Sequence, residues 1–318
     1  MSFDFDAAVT APFRMQPGLR RLAPGARQLT PLSPGSRHQR EKLAVLSAFA
    51  HQALLARDGF DPSPALQALA THAAREHPAQ FRLDDHAASS PALGVAVRYG
   101  EVEQRAAGRF GLGDEVARCL RALAPEWRLP GLLSLAFAED FAIVDARDAT
   151  IPWLAVCLPS HWAPEHKVGR HFAEVHAPVA DNALLLAAGE RLMALVAGPE
   201  RWERFVWTVT RHPRLHAHPD RVEREPWPDA AAPDGAPGAI AAACWFRSER
   251  QTFVPLPARR QAVFTIHVEL QPLAQVVVVP GRARRLADAL ASMSDAVLEY
   301  RKLAGARDRL VQWLRSVA

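Results

Sequence analysis

The chain has 318 residues, 49% of them hydrophobic and 23% charged, which is enough apolar material for a sizeable core. Its net charge is only +4, and the basic residues are spread along the chain, so composition does not indicate nucleic-acid binding. No stretch reaches the roughly 18 apolar residues of a membrane span, and Asp4 and Asp6 stand where a signal peptide carries positive charge. We therefore expect a cytoplasmic protein that contacts neither a membrane nor nucleic acid. Three cysteines without a CxxC spacing predict buried free thiols.

Residues 1–129 predict an extended arm followed by helices that pack on the core. The first 35 residues are rich in Pro and Gly and show no periodicity. Helix signals then begin at Ser36, Ser63 and Asp114, each followed by apolar residues at helical spacing. This region is therefore predicted to be mainly helical.

Residues 130–280 carry most of the strand signals. Two apolar segments separated by a short turn predict a hairpin, and helical segments follow it. Three further strand patterns come after these helices. The predicted strands cover residues 140–146, 151–158, 205–210, 243–256 and 262–270. This order predicts an α+β fold with an antiparallel sheet of about five strands.

Two further segments complete the chain. Residues 223–239 are rich in Pro, Ala, Gly and Asp and predict an exposed, mobile loop. Residues 281–318 contain two apolar stripes at helical spacing and predict C-terminal helices. We expect the arm, the sheet and the C-terminal helices to form a single folding unit.

One stretch between the predicted strands resembles a motif of PAS domains. Residues 167–178, KVGRHFAEVHAP, fit the pattern G-[KR]-x-x-x-E-[ILV]-x-x-P, which PAS domains carry between their first two and last three strands. The two-then-three strand order is also that of a PAS-type sheet. The resemblance implies a sheet folded around a hydrophobic pocket, which in PAS-like domains often holds a heme, a flavin or a small ligand.

Histidines are frequent in the middle of the chain. Four recur at five-residue intervals from His161 to His176, and because five residues advance a helix by about 140°, they do not share one helical face. The cluster of His212, His216 and His218 is interrupted by prolines and has no accompanying cysteine, so it does not predict a zinc site. His176 differs because it lies between apolar residues where a helix is predicted to end. It is either a satisfied core histidine or a metal ligand.

Charged residues stand at two places in the predicted sheet. Glu139 and Asp140 stand at the mouth of the first strand. There they would hold a cationic amine, relay protons, cap the strand, or pair with Arg247 or Arg250. Arg247 and Glu249 share one face of a later strand, and Arg250 lies on the other face. A buried arginine needs a partner such as a ligand carboxylate, whereas an exposed one would form a surface ion-pair ladder.

Several short segments, in a shared order from about residue 12 to residue 273, resemble the heme-dependent oxidative N-demethylase alpha-subunit family. The segments are PFRMQPGLR (12–20), EDF (139–141), CLPSHW (157–162), EHKVG (165–169), VHAPV (175–179), RSERQTF (247–253), LP (256–257) and FTI (264–266). The sequence departs from the family pattern at residues 210–213 and 267–269.

The resemblance implies a PAS-like fold that binds heme b and oxidatively removes a methyl group from a small amine such as dimethylamine, with oxygen consumed and formaldehyde released. It also implies a separate flavin and iron–sulfur reductase subunit that delivers electrons. His176 is then the proximal iron ligand, and Glu139 or Asp140 holds the ammonium group. The other candidate iron ligands are His161, His171 and His267. The predicted propionate ligands are Lys167, Arg247 and Arg250.

Two other functions are compatible with the same sequence. In the first, the chain is a non-catalytic PAS-like protein that binds or senses heme or another small ligand. In the second, it is a partner subunit with a degenerate pocket. A sensor usually carries an output domain, and the sequence contains no kinase or helix-turn-helix pattern. An enzyme would need a partner, because the sequence shows no nucleotide-binding or iron–sulfur motif.

Overall fold

The computed structural model describes residues 3–222 and 226–318, which form helices around two antiparallel sheets. The helices are α1 (Phe5–Ala8), α2 (Arg37–Ala48), α3 (Ala50–Ala53), α4 (Ser63–Glu76), α5 (Glu115–Ala122), α6 (Pro125–Ala136), α7 (Phe172–His176), α8 (Ala183–Val196), α9 (Pro237–Ala242), α10 (Leu273–Val276), α11 (Arg282–Ala291), α12 (Asp295–Tyr300) and α13 (Arg307–Ser316). The strands are β1 (Arg20–Arg21), β2 (Leu54–Ala56), β3 (Arg82–Leu83), β4 (Ala87–Ser90), β5 (Val95–Arg98), β6 (Glu101–Gln104), β7 (Asp140–Asp145), β8 (Thr150–Ala155), β9 (Trp202–Thr210), β10 (Trp245–Leu256) and β11 (Gln261–Pro272). The α+β class and the antiparallel pairing predicted from the sequence are confirmed.

The main sheet has seven strands in the order β1-β9-β10-β11-β7-β8-β2, rather than about five. Its five inner strands, β7 to β11, all come from the region where the sequence predicted them. The two edge strands come from the N-terminal region that we expected to be an arm and helices. They are only two and three residues long, so they are too short to show a strand periodicity in the sequence.

A second sheet, absent from the sequence prediction, is formed by β3 to β6. Its strands have two to four residues, and the hairpin between β5 and β6 turns at Tyr99 and Gly100, both with positive φ. Two successive positive φ angles are typical of the tight type I′ turn, which matches the twist of the adjoining strands. The Tyr-Gly pair was a weak turn signal because Asn or Asp is the more usual first residue.

The N-terminal helices cover one face of the main sheet. Leu46 of α2, Leu69 of α4 and Leu133 of α6 pack with Phe141 and Val263 of the sheet in the largest hydrophobic cluster. Ser36 caps α2 as predicted, since its Oγ accepts the Gln39 N–H at 3.4 Å. This face is therefore closed by helix packing.

The opposite face is covered only in part by helices. Met193 and Val196 of α8 pack on Val144 and Phe253 towards one end of the strands. The C-terminal helices pack around Phe246. Alternation along β10 places Phe246 on the same face as Val254, which is the face covered by the N-terminal helices. The C-terminal residues form three helices rather than two, because Ser292 ends α11 and Ser294 caps α12. Beside α8, the partly covered face of the sheet lines a cavity.

The segment predicted to be a mobile loop contains regular structure. Residues 223–225 lie outside the described residues, but Pro233–Gly235 forms a 3-10 turn and Pro237 begins α9. Ile240 of α9 is buried in the C-terminal cluster, which explains why this apolar alanine-rich segment is helical. The three cysteines are buried and unpaired, as expected. None of the helices in residues 3–222 and 226–318 has the length and apolar character needed to cross a membrane.

Candidate functional site

A cavity of about 460 Å³ lies against the partly covered face of the main sheet. This volume is within the range of small-molecule and cofactor sites in proteins. Its wall is formed by strands β7 to β11, helices α7 and α8, the N-terminal arm and residues 300–302. Most of that wall is apolar, with contributions from Met15, Leu19, Val144, Leu154, Phe172, Val175, Leu185, Met193, Val206, Phe253, Phe264 and Ile266.

Helix α7 brings His176 to the cavity wall. The helix starts with a capping box, in which the side chains of His171 and Glu174 bond to backbone N–H groups at its first turn. Nδ1 of His176 donates to the Phe172 carbonyl oxygen at 2.8 Å, and the two rings stack with centroids 4.0 Å apart. These contacts fix the orientation of the imidazole.

The same contacts define the protonation state of His176. Burial lowers the pKa of His176 to about 4, so the ring is neutral near pH 7. A carbonyl oxygen can only accept, so Nδ1 carries the proton and Nε2 has the free lone pair. Nε2 has no hydrogen-bond partner within the described part of the chain. This is the arrangement of a histidine that binds a metal through Nε2 and is oriented through Nδ1.

Two cationic side chains of the cavity wall form no ion pair with any carboxylate of the described residues. Nζ of Lys167 lies 5.2 Å from the centre of the Trp162 ring, and no carboxylate of the described chain is within ion-pair distance of it. Nε of Arg204 is buried and has no hydrogen-bond partner among residues 3–222 and 226–318. Burial lowers the pKa of both side chains. Buried cations usually have a partner, so this part of the wall is suited to an anion.

Sequence reasoning identified Lys167 but missed Arg204. Arg204 is an arginine within the otherwise mainly apolar β9, and it lies opposite Gln251 in the register with β10. A charged residue in a central strand was the available signal. It could not be interpreted before the covering helices were known, because they decide which sheet face is closed.

Arg247 lines the cavity, but its donors are already used. Its Nε donates to Ser160 Oγ at 2.8 Å, and its guanidinium also donates to the carbonyl oxygens of Arg214 at 3.1 Å and Leu215 at 2.7 Å. Only 1% of the side chain is exposed, and burial lowers the pKa of Arg247 to about 10. Arg247 therefore anchors two loops to β10, and the structure does not leave it free to bind a propionate as predicted.

Arg250 and His267 lie on the other face of the sheet, away from the cavity. Side chains alternate along a strand, so Arg250 points opposite to Arg247, and it pairs in register with His267. Arg250 forms a buried ion pair with Glu203, with Nε 3.0 Å from Oε2. His267 is held between Thr30 and Glu139, and burial lowers its pKa to about 3. The predicted roles of both residues as direct heme ligands do not agree with these positions.

Glu139 and Asp140 are buried and do not line the cavity. Glu139 accepts the Thr30 N–H at 2.9 Å, and burial raises its pKa to about 7. Asp140 lies 3.1 Å from Nζ of Lys42 and accepts the Leu158 N–H at 2.7 Å. Both carboxylates therefore hold the N-terminal helices and a loop on the sheet. The sequence placed them correctly at the start of β7 but could not show that Lys42 and Thr30 enclose them.

Of the other histidines considered as ligands, His161 lines the cavity and His171 caps α7. One group in the described residues has metal-ligand spacing, namely Glu165, His218 and Asp220. Nδ1 of His218 accepts the Asp220 N–H, so the proton is on Nε2, which donates to Glu165 at 3.1 Å. Both ring nitrogens are thus occupied, and this group does not provide a histidine ligand for a metal.

Comparison with known families agrees with the character of the cavity. Residues 64–311 match the family model described as "Haem-dependent oxidative N-demethylase, alpha subunit-like". The match covers most of the 318 residues, including α7, α8 and the five inner strands of the main sheet. The chain belongs to this family.

Proposed function

We propose that this member of the family is the heme-binding subunit of an oxidative N-demethylase that acts on a small methylated amine such as dimethylamine. The observation that carries the proposal is the neutral imidazole of His176, which presents Nε2 in a largely apolar cavity. Heme iron is commonly bound by such an imidazole. Family membership supplies the reaction type.

The side chains of the cavity fit heme b in three respects. Nε2 of His176 would bind the iron, and the apolar wall would contact the porphyrin. Lys167 and Arg204, which lack anionic partners in the described residues, would bind the propionates. When bound, the heme supplies the oxygen chemistry, while the protein orients the cofactor and limits the access of water.

We also propose that the main sheet is PAS-like. In support, its five inner strands consist of a hairpin, then helices, then three antiparallel strands, and the first of the hairpin strands pairs with the last strand. The segment that resembles the PAS motif contains α7 and hence His176. The motif and the cavity therefore point to the same ligand position.

The reaction requires electrons from outside this chain. Conversion of dimethylamine and oxygen to methylamine, formaldehyde and water consumes two electrons and two protons. The sequence contains no nucleotide-binding or iron–sulfur motif, and the family is described as an alpha subunit. We propose a separate reductase subunit of the flavin and iron–sulfur class as the electron donor.

The experiment that tests the function supplies electrons from a photoreduced flavin to the heme-loaded chain. Dimethylammonium chloride, oxygen and catalase are present, and formaldehyde and methylamine are measured. We expect equal amounts of both products from the heme-loaded chain and none from the heme-free chain or without an electron donor. A chain that binds heme but releases no formaldehyde would instead support the non-catalytic heme-binding alternative.

A further inference from the structure

Glu249 is the only carboxylate among the described side chains that line the cavity. It lies near the middle of β10, on the same face as Arg247 and Gln251, and only 9% of it is exposed. Neither the sequence-based roles nor the proposed binding of heme assigns it a function.

The carboxylate of Glu249 is held by neutral donors. Ser160 Oγ–H donates to its Oε1, and Nε2–H of Gln251 donates to its Oε2 at 2.6 Å. Arg247 in turn donates to the Ser160 hydroxyl oxygen, which fixes the direction of the hydroxyl proton towards Glu249. These bonds orient the carboxylate group, and each oxygen retains capacity to accept another hydrogen bond.

No cation of the described chain is in ion-pair contact with Glu249. Arg247 is bonded to Ser160 and to backbone carbonyls, and Lys167 and Arg204 are near enough to interact electrostatically without touching it. A buried carboxylate without a counter-ion is costly, and such groups usually bind a cation. The cavity wall thus contains an oriented acceptor for a positively charged ligand.

We infer that Glu249 binds the ammonium group of the amine and so selects protonated, methylated amines. The inference rests on the proposed function, because Lys167 and Arg204 would otherwise repel a cation. Propionates on these two side chains would neutralise them and leave Glu249 as the acceptor. Val206, opposite Glu249 in the register with β9, provides apolar surface for methyl groups.

The test measures binding of dimethylammonium chloride to the heme-loaded chain by ligand-detected NMR, with hemin affinity measured on the same samples. Glu249→Gln removes the charge but preserves the shape of the side chain. Its matched control is Glu139→Gln, the equivalent change in a buried glutamate on the opposite face of the sheet. Glu249→Asp, which keeps the charge, is the second variant, and circular dichroism checks that all of them fold.

We expect Glu249→Gln to weaken amine binding about tenfold or more, as loss of a charge-assisted hydrogen bond implies, with hemin affinity unchanged. Glu249→Asp should bind more tightly than Glu249→Gln, and Glu139→Gln should match the wild type. Three outcomes would overturn the inference. In the first, Glu249→Gln binds the amine as tightly as the wild type; in the second, only Glu139→Gln loses amine affinity; in the third, the wild type binds no amine. If the wild type binds no hemin, the proposed function fails, and the inference that rests on it fails as well. If the wild type binds hemin but Glu249→Gln keeps its amine affinity, only the inference about Glu249 is overturned.

Discussion

At the scale of single residues, hydrogen bonding separates the side chains that are available to a ligand from those that are not. Arg247 and Arg204 both line the cavity, yet Arg247 is bonded to a hydroxyl and several carbonyls while Nε of Arg204 is unpartnered in the described chain. His176 has one ring nitrogen bonded to the Phe172 carbonyl and the other directed to no described partner. Availability therefore depends on neighbours that the sequence does not reveal.

The pKa of His176 predicts how heme binding depends on pH. An ordinary histidine is half protonated near pH 6.5, and a proton on Nε2 would compete with iron. Because burial lowers the pKa of His176 to about 4, Nε2 stays deprotonated throughout the range from pH 8 to pH 5.5. Hemin affinity is measured from the Soret band at each pH for the wild type and for His176→Ala. The ratio of the two affinities should change less than about threefold over this range. A tenfold loss per pH unit below 6.5 would contradict the assignment.

Arg204, whose Nε has no hydrogen-bond partner in the described part of the chain, is predicted to contribute to cofactor affinity. We expect Arg204→Gln to weaken hemin binding roughly tenfold, because about 1.4 kcal/mol of charge-assisted bonding to a carboxylate would be lost. The control is Arg191→Gln, since Arg191 is exposed on α8. Spectrophotometric titration with hemin measures both. Equal affinities in the two variants would show that Arg204 does not bind a propionate.

At the scale of elements, alternation along β10 decides which predicted residues reach the cavity. The sequence correctly indicated that Arg247 and Arg250 lie on opposite faces, but both were assigned to the same ligand. The two faces of the sheet differ because α2, α4 and α6 pack against one of them, and the sequence does not show which face these helices cover. The sequence also predicted the five inner strands, because each has at least six residues and shows an apolar run or an alternating pattern. It missed the edge strands and the second sheet, because strands of two to four residues carry too little pattern.

The buried pair of Arg250 and Glu203 predicts an effect on stability rather than on the cofactor. Both side chains are less than one tenth exposed, and Nη2 of Arg250 lies 2.9 Å from Oε2 of Glu203. Removing one partner of a buried pair costs about 3–5 kcal/mol, because the other charge stays buried. We expect Arg250→Met to lower the free energy of unfolding by this amount in urea titrations, with hemin affinity unchanged in the folded protein. The double variant with Glu203→Gln should recover part of the loss.

The opposite result for Arg250 would be equally informative. Unchanged stability together with weakened hemin binding would return Arg250 to the role that the sequence suggested. It would also imply that the ligand reaches the face covered by the N-terminal helices, which the packing of Leu46 and Leu69 against the sheet does not allow.

At the scale of the whole molecule, the main sheet separates two functions. One face, with Glu139, Arg250 and His267, forms a buried polar layer that joins the N-terminal segment to the strands. The other face, with Glu249 and Arg204, borders a cavity whose wall also includes α7 and α8. Stability and ligand binding are thus assigned to different faces, and variants on one face should leave the property of the other largely intact.

Ligation of heme iron by His176 is tested by the Soret spectrum of the hemin-loaded chain, compared with those of His176→Ala and His166→Ala. His166 lies in the segment leading to α7 and is exposed, so it is the matched control. We expect the wild type and His166→Ala to share one Soret position and to bind hemin in a one-to-one ratio, while His176→Ala shows a shifted band and weaker binding. An unchanged Soret band in His176→Ala, or no saturable hemin binding by the wild type, would contradict this expectation.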